Sequence, residues 1–222
     1  MKISVIIPTL NEAKNILGSL DSIGRQQGDF EIIVVDGCSA DGTADAARGH
    51  ATVISSEQRG RAVQMNAGAR QACGEVLVFL HADSCLPHNA LSALRNTLLD
   101  TRIIGGTFTL KFDSQKFLLR VIAFFTRFRF RFFHYGDQGI FVRRAIFEEL
   151  GGFKQITIME DIDFLQRLRR RGRVTLINQP VTTSARRFLR HGIIRQQLLD
   201  IILVVLYVLG ASPEKLSRLY RQ

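Results

Sequence analysis

The chain has 222 residues, 46% hydrophobic and 23% charged, a balance that excludes a disordered segment and suffices for one α/β domain with a full core. With 30 Lys and Arg against 20 Asp and Glu the formal charge is +10, which calls for an anionic partner: a phosphorylated substrate, an anionic membrane surface or nucleic acid. Cys38, Cys73 and Cys85 are odd in number and lack Cys-x-x-Cys spacing, which argues against a disulfide framework or a zinc knuckle and for a reducing, cytoplasmic setting.

In chain order, residues 3–7 (ISVII), 31–35 (EIIVV) and 76–80 (VLVFL) are short, nearly continuous apolar runs. Such runs suit strands buried on both faces of a parallel sheet. The first run, after Met1 and Lys2, is too short for a signal-peptide core. Helix-like segments at 13–25, 42–49 and 61–72 separate the strands, the rhythm of βαβ units. Residues 105–112 alternate like an exposed or edge strand, 136–142 read as a turn into a strand, and 145–150 as a short helix. Residues 160–171 start acidic and end basic, matching a helix macrodipole.

In open parallel sheets ligands bind beyond the carboxyl ends of the strands. Those ends here carry Pro8-Thr9-Leu10-Asn11-Glu12, Asp36-Gly37-Cys38-Ser39 and His81-Ala82-Asp83. Asn11 also reads as a helix cap, and Asp41-Gly42-Thr43 as a capped turn. A carboxylate at the end of a buried strand, as Asp36 is, needs a partner, and a nucleobase N–H or ribose hydroxyl supplies one. Arg59-Gly60-Arg61, followed by Gln64, Asn66 and Gly68, can reach phosphate oxygens or form a solvated basic face. Asp83 is placed to hold a hard divalent cation such as Mg2+. His81, two residues earlier, is either a second ligand or a hydrogen-bonded structural residue. Glu160 and Asp161 open a helix, where a carboxylate serves as general base or as a cap.

The order of these clusters carries more than any one of them. PTLNE, VVDG-S-DGT, RG..QMN.GA, FLHAD, GDQG..VRR and the ED of MEDIDF follow one another as in the inverting family-two GT-A glycosyltransferases, which the chain resembles from residue 3 to about 177. The HAD motif, SARRF and LYVLGASPEKLSRLYR further resemble a group of small bacterial members, some labelled as arsenosugar-biosynthesis transferases. The resemblance implies an α/β GT-A fold: a Rossmann-like, mostly parallel sheet flanked by helices, with a C-terminal helical appendage. It implies a catalytic domain over 1–188 and a helical segment over 189–222 packed on the domain, at a dimer interface or at a membrane surface. It further implies a nucleotide-sugar donor, an inverting transfer, and a divalent cation, Mg2+ or Mn2+. Residue by residue, Pro8, Thr9, Asn11 and Glu12 would line the nucleotide pocket, Asp36 would hold the base, and Arg61 and Asn66 would seat the nucleotide or diphosphate. Asp83 would bind the metal, with or without His81, which replaces the usual first Asp of Asp-x-Asp. Asp161 would be the base with Glu160 beside it, and Gly136, Asp137 and Gln138 would form the sugar and acceptor region. A nucleotidyltransferase, or a scaffold with a degenerate nucleotide pocket, is the rival reading. The first would favour a Gly-rich, Lys-bearing loop that PTLNEAKN lacks, and intact Asp36, Asp83 and Asp161 argue against the second.

Two apolar stretches bear on location. Residues 117–133 interleave Phe117, Phe124, Phe125, Phe128, Phe130, Phe132 and Phe133 with Arg120, Arg127, Arg129 and Arg131, as suits an anionic bilayer interface. Residues 193–209 are strongly apolar, but the unbroken core, 201–209, falls well short of the roughly 20 residues a spanning helix needs. The expectation is peripheral contact with the inner face of the cytoplasmic membrane, or burial in a homodimer or in the core. No RNP-like or helix-turn-helix pattern accompanies the basic residues, so no nucleic-acid partner is expected.

Overall fold

The computed structural model describes residues 1–127 and 136–220. The first half is a βαβ frame: β1 (Ile3–Thr9), α1 (Ile16–Gly24), β2 (Phe30–Asp36), α2 (Thr43–Ala47), β3 (Thr52–Ser55), α3 (Arg61–Gln71) and β4 (Val76–Phe79). The second half holds β5 (Ser84–Cys85), α4 (Ala90–Thr97), β6 (Ile103–Phe112), α5 (Phe117–Phe125), a 3-10 turn (Gly136–Gln138), β7 (Ile140–Arg143), α6 (Arg144–Glu149), α7 (Glu160–Arg171) and β8 (Arg173–Thr183). Three helices close it: α8 (Arg186–His191), α9 (Ile193–Val208) and α10 (Pro213–Tyr220). Among the described residues no helix is long and apolar enough to cross a membrane.

The strands form one sheet in the order β3-β2-β1-β4-β7-β6-β8-β5. β1, β2, β3 and β4 pair in parallel, as the apolar runs predict, and β6 pairs in parallel with β8. β7 is antiparallel to both β4 and β6, and β5 to β8. β1 is buried along its whole length, because α1 packs on one face and α3 on the other. Two apolar layers result, one holding Ile16, Leu20 and Leu91, the other Met65, Phe147, Phe153 and Phe164.

One expectation is overturned here. The strand at 105–112 lies inside the sheet, between β7 and β8, rather than at an edge. Its alternation reflects Thr107 and Thr109, both buried, not solvent. Gly105 and Gly106 allow the tight packing: a Cβ on Gly106 would stand 2.0 Å from the Thr175 carbonyl oxygen. The interleaved Phe/Arg stretch divides at residue 127. Phe128, Arg129, Phe130, Arg131, Phe132 and Phe133 lie outside the described residues.

Candidate active site

The carboxyl ends of β1, β2 and β4 converge, and their loops are laced together by side chains. Ser39 Oγ accepts the Asn11 N–H at 2.9 Å, Asn11 Oδ1 accepts that of Ala40 at 2.9 Å, and Thr43 Oγ1 accepts that of Glu12 at 2.9 Å. Beneath them the buried Gln64 amide of α3 donates to the Thr9 and Val35 carbonyls, each at 2.8 Å. Gln64 thus clamps the two strand ends that carry the first two motifs. Asn11 (φ 55°) and Cys38 (φ 65°) in these loops, and Met159 (φ 73°) just before α7, have left-handed backbones. Such strain persists where the surroundings over-determine it, typically at functional sites.

Asp36 is 4% exposed. Its Oδ2 accepts the Ser39 N–H at 2.9 Å, whereas Oδ1 is buried and has no partner among the described residues. Thr9, its register partner on β1, likewise buries an unpartnered Oγ1. Two orphaned polar atoms on adjacent strand ends are a cost that a bound polar ligand removes. Glu12 Oε1 accepts a 2.8 Å bond from Arg186 Nη2, which also stands 3.9 Å from Asp83 Oδ2. Pro8 lies within the buried β1, one residue before its end at Thr9.

Across the sheet, α7 begins at Glu160, directly after the left-handed Met159, so Glu160 and Asp161 occupy the first turn with both carboxylates buried. Arg61 Nη1 lies 3.5 Å from Glu160 Oε1 and 3.8 Å from Asp161 Oδ2. Burial first, then the Glu160 charge, raises the Asp161 pKa to about 6 against the opposing pull of Arg61 and His81. His81 Nδ1 bonds to Asp137 Oδ1 at 2.8 Å, and Nε2 is 4.0 Å from Asp161 Oδ2. Burial and the Arg61 charge oppose protonation of His81, yet the hydrogen bond and charge of Asp137 hold its pKa above the ordinary value. The same bond holds the half-buried Asp137 carboxyl well below the usual range. Asp137 sits in the Gly136–Gln138 turn, beside the fully buried Gln138.

Two expected site residues have partners within the protein. Asn66, expected at the nucleotide, braces a loop: its Nδ2 donates to the Phe153 carbonyl at 2.8 Å and its Oδ1 accepts the Phe153 N–H at 2.9 Å. His81, the possible second metal ligand, is engaged through Nδ1 by Asp137 at 2.8 Å, with Nε2 4.0 Å from Asp161 Oδ2. Among the described residues no group of three or more His, Cys, Asp or Glu has the arrangement of a protein-only metal cage. A cation held by one or two carboxylates and by substrate phosphates needs no such cage. Asp83 fits that donor set. Burial, then the charge of Asp137, and also that of Glu12, disfavours its ionised form, and a divalent cation would reverse that.

A cavity of about 780 Å3 opens beside Asp161. It is bounded by α3 from Arg61 to Val63, by the 155–162 loop and by α9 and α10. Asp36 and Asp83 lie outside its lining, whereas Leu10 of the first motif and Arg59, Gly60 and Arg61 belong to it, so the cavity adjoins the nucleotide loops and extends from them to the C-terminal helices.

Residues 4–171 match the family model described as "Glycosyl transferase family 2". The chain belongs to that family. Its architecture is GT-A, and solved structures agree with the fold. The family-2 chain superimposes on Staphylococcus aureus TarS 1–349 in complex with UDP with a TM-score of 0.70 at 20% identity, covering 93% of this chain and 66% of that one. It superimposes on the mannosyltransferase PcManGT from Pyrobaculum calidifontis, in complex with GDP-Man and Mn2+, with a TM-score of 0.66 at 25% identity, covering 98% and 68%. In sequence it is 36% identical over 119 residues to glycosyltransferase AglE of Haloferax volcanii, or 47% of this chain and 38% of that protein. It is 44% identical over 91 residues to a PGL/p-HBAD biosynthesis glycosyltransferase of Mycobacterium tuberculosis, or 37% of this chain and 36% of that protein. The sequence matches span 38% and 36% of the length of AglE and of the mycobacterial relative.

Proposed function

We propose that the chain transfers a sugar from a nucleoside-diphosphate sugar to an acceptor hydroxyl with inversion at the anomeric carbon, and that Asp161 is the general base. The observation that carries the reading is the Asp161 carboxylate: buried, facing the cavity, and raised to about 6, near the value a base needs at neutral pH. The acceptor oxygen forms its bond to the anomeric carbon as the bond to the donor phosphate breaks. The electron pair leaves with the nucleoside diphosphate and the hydroxyl proton passes to Asp161. Arg61, 3.8 Å away, favours the ionised base before transfer. Glu160 shares that arginine and raises the proton affinity of Asp161.

Asp36 and Thr9 are read as the nucleoside contacts because their orphaned atoms offer acceptors to a base or ribose. Asn11 and Glu12 shape that loop, and Pro8 lies in the strand that leads into it. A divalent cation, Mg2+ or Mn2+, would be held by Asp83, and when bound it neutralises the charge on the departing diphosphate. Asp137, Gly136 and Gln138 are read as the sugar side, with Asp137 fixing His81. A thermal-shift panel of UDP-, GDP- and other nucleotide sugars with Mn2+ tests the donor class, since a ligand of the folded state raises its melting point. A family of nucleotide sugars that raises it supports the reading; no response to any, with or without Mn2+, contradicts it.

A peripheral membrane contact belongs to the same reading. Phe117, Phe124 and Phe125 of α5 and Ile194, Leu198 and Ile202 of α9 are exposed in the folded chain, and Lys116 and Arg195 stand beside them. Apolar side chains with basic neighbours suit an anionic bilayer surface.

A further inference from the structure

The C-terminal helices, expected to pack on the domain, at a dimer interface or at a membrane surface, form a wall of the cavity next to Asp161. α9 contributes Asp200, Leu203 and Val204, and α10 contributes Ser217 and Tyr220. α9 is also tied to the helix that carries the base: Tyr207 Oη donates to Asp163 Oδ1 at 3.4 Å, and Asp163 in turn accepts from Lys154 at 2.8 Å and Arg167 at 2.6 Å. The wall is therefore tied to α7 through Tyr207 and Asp163.

Arg187 is the notable group on this wall. It follows Arg186 in α8, and neighbouring helix residues diverge by about 100°. Arg186 turns to Glu12 and Asp83, whereas Arg187 turns to the cavity. Arg187 donates to Tyr220 Oη and, at 3.3 Å, to Asp200 Oδ2. Its guanidinium lies 5.3 Å from the centre of the Tyr220 ring and 6.0 Å from that of Phe188. Asp200, only 7% exposed, is held in turn by Gln196 at 2.8 Å. A half-buried ion pair is a poor source of stability compared with apolar packing. What it achieves here is position: a guanidinium has five N–H donors, and two are used by the bonds to Tyr220 and Asp200. Opposite it the cavity is lined by Ile156, Ile158 and Ile162, with Leu203 and Val204 on the α9 side.

We propose that this cavity is the acceptor subsite and takes an amphiphile whose anionic group, a phosphate ester or a carboxylate, seats on Arg187 while its apolar body lies along the isoleucines and α9. The inference rests on the transferase reading for its place in the reaction, since the acceptor must present its hydroxyl to Asp161. The anionic group is an anchor separate from that hydroxyl. Size agrees, because ligand cavities run from about 300 to 1,000 Å3. The carboxylates of the site do not forbid an anion: Arg61 faces Glu160 and Asp161, and Asp137 is paired with His81.

Isothermal titration with octyl phosphate, octanoate, octyl β-glucoside and inorganic phosphate, each alkyl probe below its micelle concentration, tests this. Octyl phosphate or octanoate binds the wild-type protein, and which of the two binds tighter names the anion. Octyl glucoside and inorganic phosphate bind weaker by about tenfold or more, since a hydrogen bond to a charged group contributes roughly that factor. Arg187→Gln removes about tenfold of the affinity for the charged amphiphile, and Ser217→Trp, which fills the cavity from α10, removes more. If Arg187→Gln alone leaves Asp200 unpaired and unfolds the chain, Arg187→Gln with Asp200→Asn removes both charges and carries the same expectation. Equal affinity for octyl glucoside, or an unchanged affinity in the Arg187 variants, overturns the proposal. So does competition between octyl phosphate and UDP or GDP, which would put the probe in the donor site. Predicted alkyl-phosphate binding without any nucleotide binding would instead sink the donor assignment and leave the cavity assignment standing.

Discussion

Arg186 Nη2 donates to Glu12 Oε1 at 2.8 Å, joining residues 174 positions apart, and the same nitrogen lies 3.9 Å from Asp83 Oδ2. The donor-free protein therefore carries a cation of its own beside the carboxylate assigned to the metal. Arg186 is 59% exposed, so water weakens its pull to roughly 1 kcal/mol at this distance. Removing it in Arg186→Gln should tighten Mn2+ binding to the nucleotide-free protein by about fivefold. Titration followed by the Mn2+ electron paramagnetic resonance signal reads this directly. Weaker or unchanged binding in the variant would show that Arg186 does not compete for the site.

Asp161 should make the fold less stable at the pH where it works. Its folded pKa is raised to about 6 from an ordinary 3.8, so the folded state holds a proton that the unfolded chain has lost. The contribution of the group is thus most favourable below pH 4 and is lost as pH rises toward 6. Asp161→Asn escapes that loss, so its melting temperature should exceed wild type above pH 6.5 and approach it near pH 4. The shift corresponds to at most about 3 kcal/mol, reduced because Arg61 and His81 lose a partner. Differential scanning calorimetry across this range would contradict the account if the gap were largest in acid.

Gln64 clamps the Thr9 and Val35 carbonyls from inside the protein. Gln64→Ala removes one bond from each carbonyl, the Thr9 oxygen keeping the Gly37 N–H at 2.9 Å, and should cost about 1 kcal/mol, the usual worth of a lost hydrogen bond. Because those carbonyls end the two nucleotide-side strands, affinity for UDP or GDP should fall along with stability. Urea unfolding and nucleotide titration of one preparation check both. A loss of stability with nucleotide affinity intact would reduce Gln64 to a core residue.

Phe117 is 74% and Ile194 64% exposed, so polar replacements there cost the fold little. The double variant Phe117→Ser, Ile194→Ser should melt as wild type does and pellet with anionic vesicles about tenfold less well, since burying such side chains is worth on the order of 1–2 kcal/mol in total when insertion is partial. Wild-type protein that ignores anionic vesicles at low salt would remove the membrane reading.

The parallel half of the sheet was legible because ISVII, EIIVV and VLVFL are apolar runs of strand length with polar ends. Those ends carry Asp36 and Asp83, and the acidic start of α7 carries Glu160 and Asp161, so the carboxylates of the site could be found before any coordinates. β8 was not legible: Asn178, Gln179 and Pro180 interrupt its apolar character, and it pairs with β6 through a register shift at that point. β6 reads as an edge strand because its polar positions are threonines, which the sheet buries. The roles of Gln64, Asn66 and Arg187 depend on partners 55, 87 and 13 or 33 positions away. Composition and periodicity carry no record of such distances, whereas the fold brings them together.

The central claim is that Asp161 takes the acceptor proton. Once the thermal-shift panel has identified a donor, nucleoside diphosphate release in the presence of acceptor is compared between wild type and Asp161→Asn, with donor affinity measured on the same samples. The account predicts a fall in turnover on the order of 10²–10⁴, with donor affinity within about twofold of wild type. Turnover that survives while donor affinity collapses would assign Asp161 to binding and contradict the mechanism.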